Sequence, residues 1–263
     1  MSHDLDRIII ALDTPDEQKA LDLVKLLRDK VSTFKVGLEL FCSTGPSIVK
    51  KINDEGCRVF LDLKFHDIPN TVAGAVRAAT LTGAFMFNIH ASGGREMMRQ
   101  AKEAIDKTYD EMQKTIEPGR GPQGTSKDLA IMHPPGQLDT VQRPLIIAVT
   151  VLTSLDDQDL KDINITKSTL DQAVALACLA KECGLDGVVA SPKEISAIRK
   201  AIGKDFVIVT PGVRPSWAAA GDQKRVMTPA EALDAGADYI VIGRPVTAAP
   251  DPLEAIDKIF SLQ

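Results

Sequence analysis

The chain has 263 residues, which suits two small domains or one α/β barrel of about 250 residues. A 44% hydrophobic and 25% charged composition is that of a soluble globular protein, and the scarcity of aromatic residues (4%) argues against stacking on nucleic-acid bases. A net charge of −5 provides no field toward DNA or a membrane surface, so an anionic ligand has to be met by local donors.

Cys42, Cys57, Cys178 and Cys183 form no C-x-x-C pair, which predicts reduced thiols rather than a zinc or redox motif. Met1 to Arg7 is polar and runs straight into a strand, unlike a signal peptide. No apolar run approaches about 18 residues, so no membrane span is expected and a cytoplasmic location is.

The first strand, Arg7 to Asp13, is an apolar run closing on Asp13, the pattern of a parallel strand buried on both faces. Thr14-Pro15-Asp16-Glu17 opens a helix with Thr14 as the expected N-cap, ending near Lys30. Residues 34–38 form a second strand carrying Lys35, followed by a helix over about 45–55. The third strand runs from Val59 and ends in D-L-K-F-H-D-I-P-N-T (62–71); Pro69 starts a helix to Thr82. Residues 84–91 form a fourth strand, ending near His90, and a helix covers about 94–115. The segment 117–143 is rich in Pro and Gly, and is expected to be an inserted surface loop with a short helix near 129–132.

Alternation resumes with a strand over 144–152, then Thr153 and Ser154, a helix over 170–183 and a strand over 187–191. A helix at 192–202 and a strand at 206–210 come next. A loop of small and polar residues runs to Arg225, light enough to act as a closing lid. A short helix over 228–236, a strand at 239–242, the triplet Gly243-Arg244-Pro245 and a helix over 252–260 complete the chain. Eight strands alternating with eight helices, with no linker, predict one (β/α)₈ TIM barrel in a single domain spanning 1–263. The first strand-to-helix turn lacks G-x-G-x-x-G, which counts against a dinucleotide fold.

A barrel carries its active site at the C-terminal ends of its strands. This chain places Asp13, Lys35, Asp62, Lys64, Asp67, His90, Thr153, Ser154, Arg214, Gly243 and Arg244 there. Asp62 and Lys64 are two apart, which in a regular strand puts both on one face and Leu61, Leu63 and Phe65 on the other. Burying charges costs several kcal/mol per ion unless they are paired, so the cluster points to function more than to packing. His66 and His90 read as peripheral or packing residues. No His/Glu cluster has metal spacing, and no cofactor motif is visible. Gly243-Arg244 after the last strand, with Arg214 and Gln223 on the seventh loop, forms the clearest anion signal.

These motifs resemble the orotidine 5′-phosphate decarboxylase family, in its bacterial single-domain form. The resemblance covers nearly the whole chain: A-L-D at 11–13, F-K-V-G at 34–37, the 62–71 motif, V-T-V-L-T-S at 149–154, T-P-G-V-R at 210–214, G-D-Q-K-R at 221–225 and I-G-R-P at 242–245. It implies conversion of orotidine 5′-phosphate (OMP) to UMP, without cofactor or metal, in a homodimer with shared sites. Lys64 would be the proton donor and Asp62 would face the substrate carboxylate. Asp13 and Lys35 would hold the ribose hydroxyls and extend the charge chain. Asp67 and Thr71 would reach into the partner's site. Thr153 and Ser154 would lie at the pyrimidine edge, and Arg214, Gln223, Gly243 and Arg244 around the phosphate. The 117–143 segment is longer than the usual family connection.

The residues fit that chemistry independently. Losing CO₂ from C6 of orotate leaves a carbanion with no simple delocalisation, so fixed charges must lower the barrier. Two other readings stay open: a Mg²⁺-dependent sugar-phosphate decarboxylase sharing D-x-K-x-x-D, against which F-K-V-G and I-P-N-T argue, and a non-catalytic nucleotide-phosphate sensor, against which two carboxylates beside an anion argue.

Overall fold

The computed structural model describes residues 5–116, 142–215, 217 and 227–261. The expected insert at 117–143 lies almost wholly outside the described residues, as do Gln223 and most of the seventh loop.

Eight parallel strands close into a barrel in sequence order: β1 (Ile8–Ala11), β2 (Thr33–Gly37), β3 (Arg58–Phe65), β4 (Met86–His90), β5 (Leu145–Val149), β6 (Gly187–Val189), β7 (Val207–Thr210) and β8 (Tyr239–Ile242). β1 pairs with both β2 and β8, which closes the ring. The fold class expected from the alternation is therefore the one observed.

Strand alternation sorts the apolar residues into two cores. Ile9, Ala11, Phe60, Met86, Ile147, Val209 and Val241 fill the barrel interior. Ile8, Ile10, Phe34, Val36, Val59, Leu61, Phe87, Ile89, Ile146 and Ile208 face the helices. Each fully buried aliphatic side chain contributes about 1.5–3 kcal/mol, so the second layer is the main source of stability. The interior is tightly filled at Gly187: a Cβ there would lie 2.4 Å from the Val207 carbonyl oxygen. Only glycine fits between β5 and β7 at that level.

Several boundaries differ from the sequence expectation for local reasons. The first helix is Glu17–Leu27, and its N-cap is Asp16, whose side chain accepts from Lys19 N, while Thr14 Oγ1 accepts from Asp16 N in the preceding turn. The helix expected at 45–55 is Ser47–Asp54, and an unexpected helix, Leu38–Thr44, precedes it and stops where Gly45 adopts φ 71° ahead of Pro46. Two further helices, Asp157–Asp162 and Arg244–Thr247, occupy connections read as loops. The first has a full capping box from Asp156 and Asp159.

The largest departure is in β3. Between Leu61↔Phe87 and Phe65↔Ile89, β3 advances four residues while β4 advances two. Lys64 sits in this irregularity at φ 53°, one of two non-glycine residues with positive φ among those described. The strand at 62–64 is thus bulged rather than regular.

Candidate active site

The upper end of the barrel opens into a cleft of about 290 Å³. Its floor is apolar, from Ala11, Phe60, Val149, Val189 and Val241. The inward positions one step further along the strands are charged. Phe60 is followed at i+2 by Asp62, and Ala11 by Asp13, so the periodicity that fills the core below places carboxylates above it.

Asp13, Lys35, Asp62 and Lys64 form one continuous chain of charge. Lys35 Nζ lies 3.0 Å from Asp13 Oδ1 and 3.5 Å from Asp62 Oδ2. Lys64 Nζ lies 2.8 Å from Asp62 Oδ1. Exposure rises outward from the centre of the chain: the side chains of Lys35 and Asp62 are 11% and 13% exposed, those of Lys64 and Asp13 30% and 57%. Gly37 makes room for the Lys35 ammonium, since a Cβ there would stand 3.0 Å from Nζ.

Burial pushes the Asp62 carboxyl up, but the Lys35 and Lys64 ammoniums, with hydrogen bonds from Lys64 and Asn88, outweigh it and hold its pKa below the ordinary value. Asp62 therefore stays ionised in the cleft. Burial pulls the His90 pKa down, and nearby His66 and Lys64 add to this, opposed only by Asp62. The His66 and His90 rings are 5.3 Å apart, with His66 exposed and outside the cleft lining.

The side of the cleft at the ends of β7 and β8, next to β1 in the closed ring, is basic. Arg214 and Arg244 both line the cleft, with Gly212, Gly243 and Pro245 between them. Arg214 is 9% exposed, and its main-chain N–H donates to the Met227 carbonyl, tying the two ends of the seventh loop together beside the Val213–Met227 bridge. Thr153 also lines the cleft; Ser154 is exposed and does not. Asp67 and Thr71 are exposed and outside the lining, and Asp67 Oδ1 accepts from Ile68 N at 2.7 Å. Asp62 and Lys64 do meet, but through a bulge and a left-handed Lys64 rather than the regular strand expected from their spacing.

One site residue was missed by sequence reasoning. Asn88, fully buried in β4, donates from Nδ2 to Asp62 Oδ1 and accepts at Oδ1 from Lys64 N, each at 2.7 Å. A lone Asn inside the apolar run M-F-N-I-H was the available signal, since a buried amide demands partners. Among the described residues no three His, Cys, Asp or Glu side chains group so as to hold a metal ion, and no helix is long and apolar enough to cross a membrane.

An apolar floor, an alternating charge chain at the ends of β1, β2 and β3 and two arginines after β7 and β8 suit a small ligand that carries anionic groups. Comparisons with known proteins identify relatives along nearly the whole chain. The decarboxylase named for orotidine 5′-phosphate in Syntrophomonas wolfei is 51% identical over 257 residues, covering 97% of this chain and 96% of that protein. The enzyme of the same name from Moorella thermoacetica is 50% identical over 258 residues, covering 98% and 92%. The crystal structure of orotidine 5′-phosphate decarboxylase from Lactobacillus acidophilus superposes with a TM-score of 0.73 at 35% identity, covering 97% of both chains. The family model described as orotidine 5′-phosphate decarboxylase / HUMPS matches residues 6–259, and the chain belongs to that family.

Proposed function

We propose that the chain decarboxylates OMP to UMP, the last step of de novo pyrimidine nucleotide synthesis, and does so without metal or cofactor. The observation that carries this reading is the Asp13–Lys35–Asp62–Lys64 chain sharing one cleft with two arginines. Arg214 and Arg244, with Gly243 and Gln223, take the phosphate. Asp13 and Lys35 take the ribose hydroxyls. Thr153, with Ser154 beside it, meets the pyrimidine edge. The C6 carboxylate then lies against Asp62 and Lys64.

The C6–carboxylate bond breaks, CO₂ leaves and the electron pair stays on C6. The Lys64 ammonium, fixed at 2.8 Å from Asp62, stabilises that pair and transfers a proton to it; Lys64 then recovers a proton from solvent. Phosphate binding, remote from C6, supplies energy for ordering the site. Dipoles and charges already in place need no reorganisation during the step, which is why a mutually paired chain serves better than a lone lysine.

We further propose a homodimer in which Asp67 and Thr71 complete the partner's site. Asp67 is exposed on its own chain and stands beside Ile68, which is 67% exposed. Nearby, Phe41, Leu61, Leu63, Phe65 and Ala75 line an apolar groove of about 250 Å³, a surface suited to burial against a second copy.

The test follows OMP by ultraviolet absorbance with purified protein, before and after dialysis against a chelator. Equal turnover in both is expected. Loss of turnover restored by Mg²⁺ would transfer the chain to the sugar-phosphate reading, and tight OMP binding without turnover would make it a sensor.

A further inference from the structure

We propose that Asn88 is a positioning residue, whose amide locks the Asp62 carboxylate and the Lys64 main chain to each other and so aims the Lys64 ammonium at the reacting carbon. This deepens the decarboxylase reading and rests on it. Three independent features of the structure converge on the one side chain.

The first is the ladder. β3 carries two more residues than β4 between their paired positions, so the bulge cannot be satisfied by strand-to-strand hydrogen bonds alone. Asn88 stands between Phe87 and Ile89, opposite that bulge, and its side-chain oxygen takes the Lys64 N–H at 2.7 Å in place of a backbone carbonyl. The second is strain. A left-handed, non-glycine backbone costs about 1–3 kcal/mol and persists only where its surroundings over-determine it. Lys64 is at φ 53°, and the Asn88 bond holds that conformation in place. Without it the strand is free to relax toward extended geometry, which would swing the Lys64 side chain away.

The third is the shared oxygen. Asp62 Oδ1 accepts both from Lys64 Nζ at 2.8 Å and from Asn88 Nδ2 at 2.7 Å. One amide thus grips the base of the lysine with its oxygen and the lysine's counter-charge with its nitrogen. Asn88 is 0% exposed, so neither bond competes with water. Aspartate at this position would keep the shape and the acceptor but lose the donor; alanine would lose both.

The experiment uses the full-length enzyme with Asn88→Ala and Asn88→Asp. Decarboxylation kcat, UMP affinity, thermal midpoint and the pH profile of kcat are measured for each beside the wild type. In Asn88→Ala, kcat is expected to fall about 10²-fold, the scale of losing one preorganised donor, with UMP affinity changed less than about threefold. In Asn88→Asp the new carboxyl faces Asp62, and two adjacent carboxyls share a proton at a raised pKa. That proton restores a donor to Asp62, so kcat of this variant is expected to rise as pH falls while wild-type kcat does not. Failure of the alanine variant to fold leaves the isosteric aspartate variant to decide the matter through its pH profile. Normal kcat in the folded variants, or an Asn88→Asp profile shaped like the wild type's, overturns the role of Asn88. An inactive wild type overturns the assigned reaction instead, so the two claims fail separately.

Discussion

The two ends of the barrel both carry ionic networks, and they are built differently. At the lower end, Asp186 and Asp238 hold equivalent places just before β6 and β8. The main-chain N–H of each donates to the preceding strand, at Ile146 and Ile208, and a carboxylate oxygen of each accepts from the N–H of that same residue. Arg143 bridges Asp186 and Asp106, and Arg199 pairs with Asp238 while also donating to the Gly236 carbonyl. Every one of these charges ends on the backbone or on another fixed charge. They staple strand starts together. At the upper end, Lys35 and Lys64 pair with carboxylates, Lys64 rests on a strained backbone, and the cleft runs past them. The difference separates charges that tie strand starts together from charges that line a cleft.

Substitutions at the two ends should therefore have opposite signatures, loss of rate above and loss of stability below. Lys64→Ala should show the largest effect: turnover lower by on the order of 10⁴-fold or more, with UMP still bound. Mixing it with Asp67→Ala sharpens the point. In a two-fold dimer with shared sites, random reassociation makes about half the dimers mixed, with roughly a quarter of all sites intact. No recovered activity, with chain exchange confirmed separately, would remove Asp67 from the partner's site.

Next in size is Arg244→Ala, on the basic wall. Losing one charged hydrogen bond of about 1.5–3 kcal/mol should weaken OMP about 10–100-fold and free orotidine little. Equal weakening of both would put the phosphate elsewhere. Below the barrel, Asp186→Asn should lower stability by about 1–2 kcal/mol and leave kcat unchanged. A rate effect without a stability effect would erase the contrast between the two ends.

The smallest effect is in acid. The folded Asp62 carboxyl lies below its ordinary value, so its stabilising contribution is present above the unfolded value of about 3.9 and lost as pH falls through the folded one. Melting curves below pH 4 should thus fall more steeply with acid for wild type than for Asp62→Asn. Parallel curves would mean that Asp62 is not held down by its lysines.

The contrast also explains what was legible in the sequence. Continuous apolar runs made the eight strands readable, and charges ending such runs made Asp13, Lys35, Asp62 and Lys64 readable, since nothing in packing calls for them. Arg214 and Arg244 were readable from glycine and proline neighbours that mark strand-end loops. Asn88 offered only the weaker signal of a lone amide in an apolar run, because a neutral side chain carries no charge signature and its meaning lies in a bulge two strands share. The positive φ of Lys64 was hidden for the same reason: register between strands is set by tertiary pairing, not by local propensity. The helix at Asp157–Asp162 had a capping box in plain view in D-D-Q-D, but its single turn and a half gave little periodicity to read.

The central claim is that Lys64 delivers a proton to a carbanion at C6, and the reverse of that last step isolates it from CO₂ loss. Enzyme is incubated with UMP in D₂O and the C6 hydrogen is followed by NMR. The account predicts that wild type exchanges C6–H for deuterium while C5–H stays, and that Lys64→Ala, with UMP still bound, does not. Exchange at an undiminished rate in Lys64→Ala would contradict it.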